Sequence, residues 1–111
     1  IGGAVQALGQ ALKEAVVHDA SGQVLSGSFT DYAMPRAADV PRMRLDTRAV
    51  PTATNPLGVK GGAETGTIGL PPAIIGAVVD ALRPYGIRDI AMPATPARIW
   101  AAIQTARKTA K

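Results

Sequence analysis

One carboxylate set among glycines is the group in this sequence with the clearest chemical use. Glu64 lies in Gly58-Val59-Lys60-Gly61-Gly62-Ala63-Glu64-Thr65-Gly66-Thr67-Ile68-Gly69. Glycines let backbone approach a ligand closely and turn its N–H groups inward. Lys60 and a following helix start favour an anion there. A carboxylate beside an anion is useful if it takes a proton, because desolvation and nearby negative charge raise a carboxyl's proton affinity to what a base at neutral pH needs. The plainer alternative is a solvated loop glutamate paired with Lys60. The segment has no Gly-Lys-Ser/Thr, so it is not a Walker A loop, and no Gly-x-Gly-x-x-Gly leads from a strand into a helix.

Other chemistries are bounded by composition. There is no cysteine, which excludes disulfides, thiolate metal sites and a Cys nucleophile. His18 is the single histidine, so no multi-His metal cage can form, and no metal ligands are expected. His18 flanks a turn, with no acid or nucleophile near it by spacing, and reads as a surface histidine. The net charge of +4 invites a nucleic-acid reading. Seven of the 12 cations instead fall in a mid-chain group (Arg36, Arg42, Arg44, Arg48) and a terminal one (Arg107, Lys108, Lys111). With 4% aromatics there is no stacking platform, so a solvated face and a basic end are favoured and no nucleic-acid partner is expected. No apolar run of about 20 residues and no leader pattern stand out, so no membrane partner is expected.

The elements that must position Glu64 follow from periodicity. The 111 residues allow one domain at most, and 47% hydrophobic against 18% charged content argues against disorder. Val5, Leu8, Leu12 and Ala15 recur at helical spacing over Ala4 to Ala15. Gly9 within that helix implies close packing or close backbone approach. Val16-Val17-His18 and Gln23-Val24-Leu25 flank Asp19-Ala20-Ser21-Gly22 and predict a β-hairpin. From Arg42 to Val50, Met43, Leu45, Thr47 and Ala49 alternate with Arg42, Arg44, Asp46 and Arg48, which predicts a half-buried strand. Ile87 to Met92 predicts a short strand. Pro71-Pro72 sits where a helix tolerates proline and predicts a helix start, with Ile74, Ile75, Val78, Val79 and Leu82 as its buried stripe. Thr95-Pro96 predicts the cap of a last helix with Ile99, Trp100 and Ile103 inward, Trp100 as a core anchor. The fold class expected is α+β: helix, β-hairpin, alternating strand, Gly-rich loop and two C-terminal helices.

Asn55-Pro56-Leu57-Gly58-Val59-Lys60-Gly61-Gly62-Ala63-Glu64-Thr65-Gly66-Thr67-Ile68-Gly69-Leu70-Pro71-Pro72-Ala73 resembles the C-terminal signature of the large subunit of molybdenum hydroxylases. This family includes xanthine dehydrogenase, aldehyde oxidoreductase and aerobic carbon monoxide dehydrogenase. Its pattern there is Lys-Gly-x-Gly-Glu-x-Gly and a proline-led helix. Gly2 to Leu12 is similar to the family's Gln-Gly-x-Gly helix start, and Gly27-Ser28-Phe29-Thr30-Asp31-Tyr32-Ala33-Met34-Pro35 supplies a third match. Order and spacing hold from Gly2 to about Ile103. Three positions depart from the pattern: Ala63 and Ala7 stand where the family has glycine, and Gly76 where asparagine is common.

The resemblance implies that residues 1–111 are a single C-terminal segment of a molybdopterin-binding domain, part of a longer large subunit. It implies Glu64 as catalytic base, and Gln6, Ala7, Gly9, Lys60, Gly61, Gly62 and Ala63 as cofactor-binding residues. It implies molybdopterin with molybdenum, in the cytosine dinucleotide form, with FAD and 2Fe-2S groups on partner subunits or domains. The implied reaction is oxidative hydroxylation of a small aldehyde, N-heterocycle or carbon monoxide, in a cytoplasmic enzyme whose partners are the rest of the large subunit and iron-sulfur and FAD subunits. The competing expectations are a catalytically inert folded fragment and an anion-binding module.

Overall fold

Helix α1 spans Gly2–Leu12, and its first return bond runs from the Val5 N–H to the Ile1 carbonyl at 3.0 Å. The computed structural model describes residues 1–109; Lys111, counted above in the basic end, lies outside them. The residues α1 buries are Ala4, Ala7, Gly9 and Ala11. Val5, Leu8 and Leu12, expected inward, are only half-buried. Gly3, Ala7 and Ala11 recur at i, i+4 and i+8 and so share a face. Small side chains on that face let a second helix come close.

That partner is α2, Thr65–Leu82, which packs on α1 more extensively than any other pair of elements. It begins six residues before Pro71, not at it. The double proline stands inside the helix, where Pro71 and Pro72 offer no N–H to the carbonyls of Thr67 and Ile68. Proline at a helix start is a preference, and here the glycine-rich stretch supplies the first turns instead. A 3-10 turn at Arg83–Tyr85 ends α2 and closes on Gly86 at φ +74°. Thr65–Tyr85 together form a 21-residue helical stretch of mean hydropathy 1.4, 11% buried. By length and composition this stretch meets the requirement for crossing a membrane, contrary to the sequence expectation; a helix enclosed by protein has the same composition.

Helix α3 spans Pro96–Thr109. Thr95 caps it, accepting from the Arg98 N–H at 3.3 Å, as expected. The Ala94 N–H donates to the Ala11 carbonyl at 2.7 Å and ties this end of the chain to α1. Trp100 is 64% exposed and anchors no core among the described residues.

The α+β expectation is wrong. Among the described residues there is no strand, only an isolated antiparallel bridge between His18 and Val24. The turn there is real: Asp19 Oδ1 accepts from the Ser21 N–H, the Ser21 hydroxyl and the Gln23 N–H at 2.7–2.9 Å. Its arms do not continue into a ladder. Residues 42–50 carry the alternation but are almost wholly exposed, with Leu45 at 57%. Period-two patterning makes a strand only when a neighbour accepts its backbone bonds, and the described residues supply none. Ile87 to Met92 forms no strand either.

The core is small: Ala4, Ala7, Ala11, Leu82 and Ala94. The Cα radius of gyration is 18.1 Å, against about 13 Å for an independent domain of this length. The chain is thus more extended than an independent domain of its length.

Candidate active site

The segment carrying Glu64 is fixed upstream by Asn55. Its Oδ1 accepts from the N–H groups of Leu57 (3.1 Å) and Val59 (3.2 Å), and its Nδ2 donates to the Val59 carbonyl at 2.9 Å. The Gly58 N–H donates to the Asn55 carbonyl and the Thr52 N–H to the Gly58 carbonyl, each at 3.1 Å. Gly58 has φ +66°, and a Cβ there would lie 2.8 Å from Pro51 Cβ, so only glycine fits. This locked turn hands the chain to Lys60.

Lys60, Gly61, Gly62 and Ala63 are all exposed. A Cβ added at Gly61 or Gly62 would meet nothing within 4 Å, so their backbone faces open space. Glu64 is the residue before α2, with its backbone already near helical at φ −88°, ψ −6°. Its carbonyl accepts from the Ile68 N–H at 3.1 Å and the Thr67 hydroxyl at 2.8 Å. The backbone is thereby held while the side chain is left uncommitted. The ion pairs among the described residues are Lys13–Asp39 and Asp80–Arg83; Lys60 does not pair with Glu64. Glu64 borders a hollow of about 650 Å³ formed by Gly61 to Thr65 with Ile68 and Gly69.

The start of α1 lies directly beside this segment. A Cβ on Gly66 would sit 2.9 Å from the Gly3 carbonyl carbon and 3.0 Å from the Ala4 nitrogen. One on Gly3 would lie 3.5 Å from the Ala63 oxygen and the Thr67 nitrogen. Two helix starts therefore meet backbone to backbone. First-turn N–H groups have no acceptor within their own helix, and each start carries partial positive charge. Neither first turn contains an acidic residue. Among the described residues no cluster of His, Asp or Glu is arranged to hold a metal ion.

Of the residues expected to bind cofactor, Lys60, Gly61, Gly62 and Ala63 come together with Glu64 at this junction. Gln6 is exposed on α1. Ala7 is fully buried, and Gly9 packs against Glu14 Oε1 and Pro35, whose Cγ would lie 2.5 Å from an added Cβ. Those two serve the packing of α1. The Asn55 clamp and the Gly3–Gly66 contact lie beyond what the sequence motifs single out. Only the clamp had a signal, an Asn-Pro-x-Gly turn pattern.

A second polar cluster holds residues 26–40 against the end of α1. The Tyr32 hydroxyl donates to Glu14 Oε2 at 2.6 Å, and that bond, with some burial, raises the Tyr32 pKa above its usual 10.0. Lys13 Nζ lies 2.5 Å from Asp39 Oδ2, which also accepts from the Arg36 N–H at 2.8 Å. Lys13 first, then the Arg36 N–H, holds the Asp39 carboxyl below its usual 3.8.

Exposed glycine backbone, two helix starts and a carboxylate with no ion-pair partner among the described residues meet at this junction. Residues 1–41 match the family model of the molybdopterin cofactor-binding domain. The chain is 32% identical over 103 residues to the carbon monoxide dehydrogenase large chain of Hydrogenophaga pseudoflava, covering 93% of this chain and 13% of that one. It is 37% identical over 98 residues to the nicotine 6-hydroxylase large subunit of Paenarthrobacter nicotinovorans, covering 88% and 12%. The crystal structure of quinoline 2-oxidoreductase from Pseudomonas putida 86 superposes with a TM-score of 0.87 at 39% identity, covering 93% and 13%. The chain belongs to the family of molybdenum hydroxylase large chains. It spans about an eighth of the length of the relatives it matches.

The residues present fit the cofactor of that family. A phosphate-bearing group needs N–H donors and positive potential, which the two helix starts provide. A flat ring system needs backbone without side chains in the way, which Gly61 and Gly62 provide.

Proposed function

We propose that this segment holds the pterin cofactor of a molybdenum hydroxylase large subunit and supplies Glu64 as the base for hydroxylation of a small uncharged substrate, an aldehyde, an N-heterocycle or carbon monoxide. The observation that carries the reading is the position of Glu64: beside the junction of two helix starts, on an open hollow, with no ion-pair partner for its carboxylate among the described residues. Lys60 and the exposed backbone of Gly61, Gly62 and Ala63 would lie against the cofactor, with Gln6 on α1 as a further contact. The bound molybdenum centre would supply Lewis acidity and a two-electron sink. Glu64 takes a proton on its carboxylate, and its fixed backbone limits where that carboxylate reaches. The Ala63 carbonyl lies against the start of α1, 3.5 Å from where a Cβ on Gly3 would sit.

The parent polypeptide would cover α2 and the exposed apolar side chains, and would carry the remaining substrate contacts. Partner subunits with FAD and 2Fe-2S, the cytosine dinucleotide form and a cytoplasmic location belong to the same proposal. The small core favours the companion reading that residues 1–111 alone are catalytically inert.

Glu64→Gln in the complete subunit tests the base role. Molybdenum and pterin content stay at wild-type level while turnover falls by about 10²–10⁴-fold, the range for loss of a general base. Turnover near wild type defeats the assignment.

A further inference from the structure

We propose that Thr67 is a positioning residue for the base: its hydroxyl ties the Glu64 backbone to the junction of α1 and α2 and so sets where the carboxylate reaches. The inference rests on the reading of Glu64 as base. The Thr67 hydroxyl donates to the Glu64 carbonyl at 2.8 Å, and the Ile68 N–H donates to the same oxygen at 3.1 Å. Thr67 is half-buried, and its backbone nitrogen lies 3.5 Å from where a Cβ on Gly3 would sit, so it is seated on the start of α1. Glu64 is exposed and makes no side-chain cap to α2.

A threonine bonding a carbonyl three or four residues back is common inside helices, where the preceding turn already fixes that carbonyl. Glu64 has no helical turn before it. It follows the open backbone of Gly61 and Gly62, and the bond on that side is the long one from the Thr65 N–H to the Gly62 carbonyl, at 3.3 Å. With φ −88° and ψ −6°, Glu64 is the third residue of a type I turn. The two bonds to its carbonyl fix the peptide plane after Glu64 and hence its Cα. The turn bond then sets the direction in which Cβ leaves. Thr67 thus supplies the restraint that a preceding turn would give. The arrangement inverts the usual cap, in which the side chain of the first residue bonds an N–H of the first turn. Here the first-turn hydroxyl bonds the carbonyl of the residue before the helix, and the carboxylate stays out of the cap.

The test uses the complete subunit in its assembled, cofactor-loaded enzyme, with quinoline, benzaldehyde and carbon monoxide as probes, one from each proposed substrate class. Thr67→Val keeps the shape of the side chain and loses the hydroxyl. It lowers kcat about tenfold, within the roughly hundredfold that a misplacement of about 1 Å can cost, and leaves KM, molybdenum content and melting temperature unmoved. Thr67→Ser keeps the hydroxyl and restores most of the loss. In a Glu64→Gln background Thr67→Val costs nothing further, because a residue that acts through the base then has nothing to position. Hydrogen exchange gives a readout apart from turnover. The Ile68 amide, which shares the Glu64 carbonyl, exchanges about fivefold faster in Thr67→Val, the factor that one hydrogen bond is worth, and at the wild-type rate in Thr67→Ser. Wild-type kcat in Thr67→Val overturns the proposal, as does an equal loss in both backgrounds, a loss that Thr67→Ser does not restore, or unchanged exchange at Ile68. Failure of the base assignment is separately visible, because Glu64→Gln alone then turns over near wild type.

Discussion

Gly66→Ala separates two demands that one glycine meets. In a helix interior, alanine is more favourable than glycine by about 1 kcal/mol. At position 66 the new methyl would lie 2.9 Å from the Gly3 carbonyl carbon, 3.0 Å from the Ala4 nitrogen and 3.2 Å from Gly3 Cα. Non-bonded carbons settle at about 3.5–4.0 Å. The starts of α1 and α2 must therefore part by roughly 0.5–1 Å, and every atom in the way is backbone, which cannot rotate aside. Overpacking of this kind costs about 1–3 kcal/mol. Gly76→Ala is the control: it lies on the same helix, with nothing within 4 Å of an added Cβ. Gly66 lies in the first turn and Gly76 in mid-helix, so propensity favours alanine less at 66 by at most about 1 kcal/mol, and a deficit beyond that reports the contact. In the complete subunit, Gly76→Ala should hold or raise the melting temperature, and Gly66→Ala should fall below it by the equivalent of about 1–3 kcal/mol. Because the junction is also the proposed cofactor cradle, Gly66→Ala should lose molybdenum as well. Equal stability and equal molybdenum in the two variants would refute the close-contact reasoning.

Asn55→Ala removes three hydrogen bonds from the turn ahead of Lys60 and should cost about 1–3 kcal/mol, visible as faster proteolysis between Pro51 and Lys60. Asn55→Asp keeps the two acceptor bonds and should lose less. Asp39 should titrate below 3.8 in a carbon-13 NMR titration and return toward that value in Lys13→Met. Its folded form binds protons more weakly than the unfolded chain, so its contribution is complete above 3.8 and is lost as pH falls through the lower folded value. An Asp39 titration unmoved by Lys13→Met would contradict the pairing.

Helices were legible in this sequence because their evidence is local. The Thr95-Pro96 cap and the Ile74 to Leu82 stripe specify α3 and α2 from within a few turns. Strands were not, because the evidence for one is half a pair: Arg42 to Val50 has the alternation but no neighbour in this chain to bond it. The packing face of α1 was misread for a different reason. Large apolar residues usually mark the buried side, but the approach of α2 is close enough that Gly3, Ala7 and Ala11 occupy it, and Leu8 and Leu12 are left half-exposed. The same geometry divides the glycine-rich stretch, which reads as one motif. Gly61 and Gly62 face open space, as a ligand cradle requires, while Gly66 is closed against α1. Composition placed all of them near Glu64 without distinguishing these roles. What distinguishes them is the backbone lying opposite, set by a segment some sixty residues earlier. A glycine-rich loop can thus present open backbone at one end and a helix contact at the other, and Glu64 sits between the two.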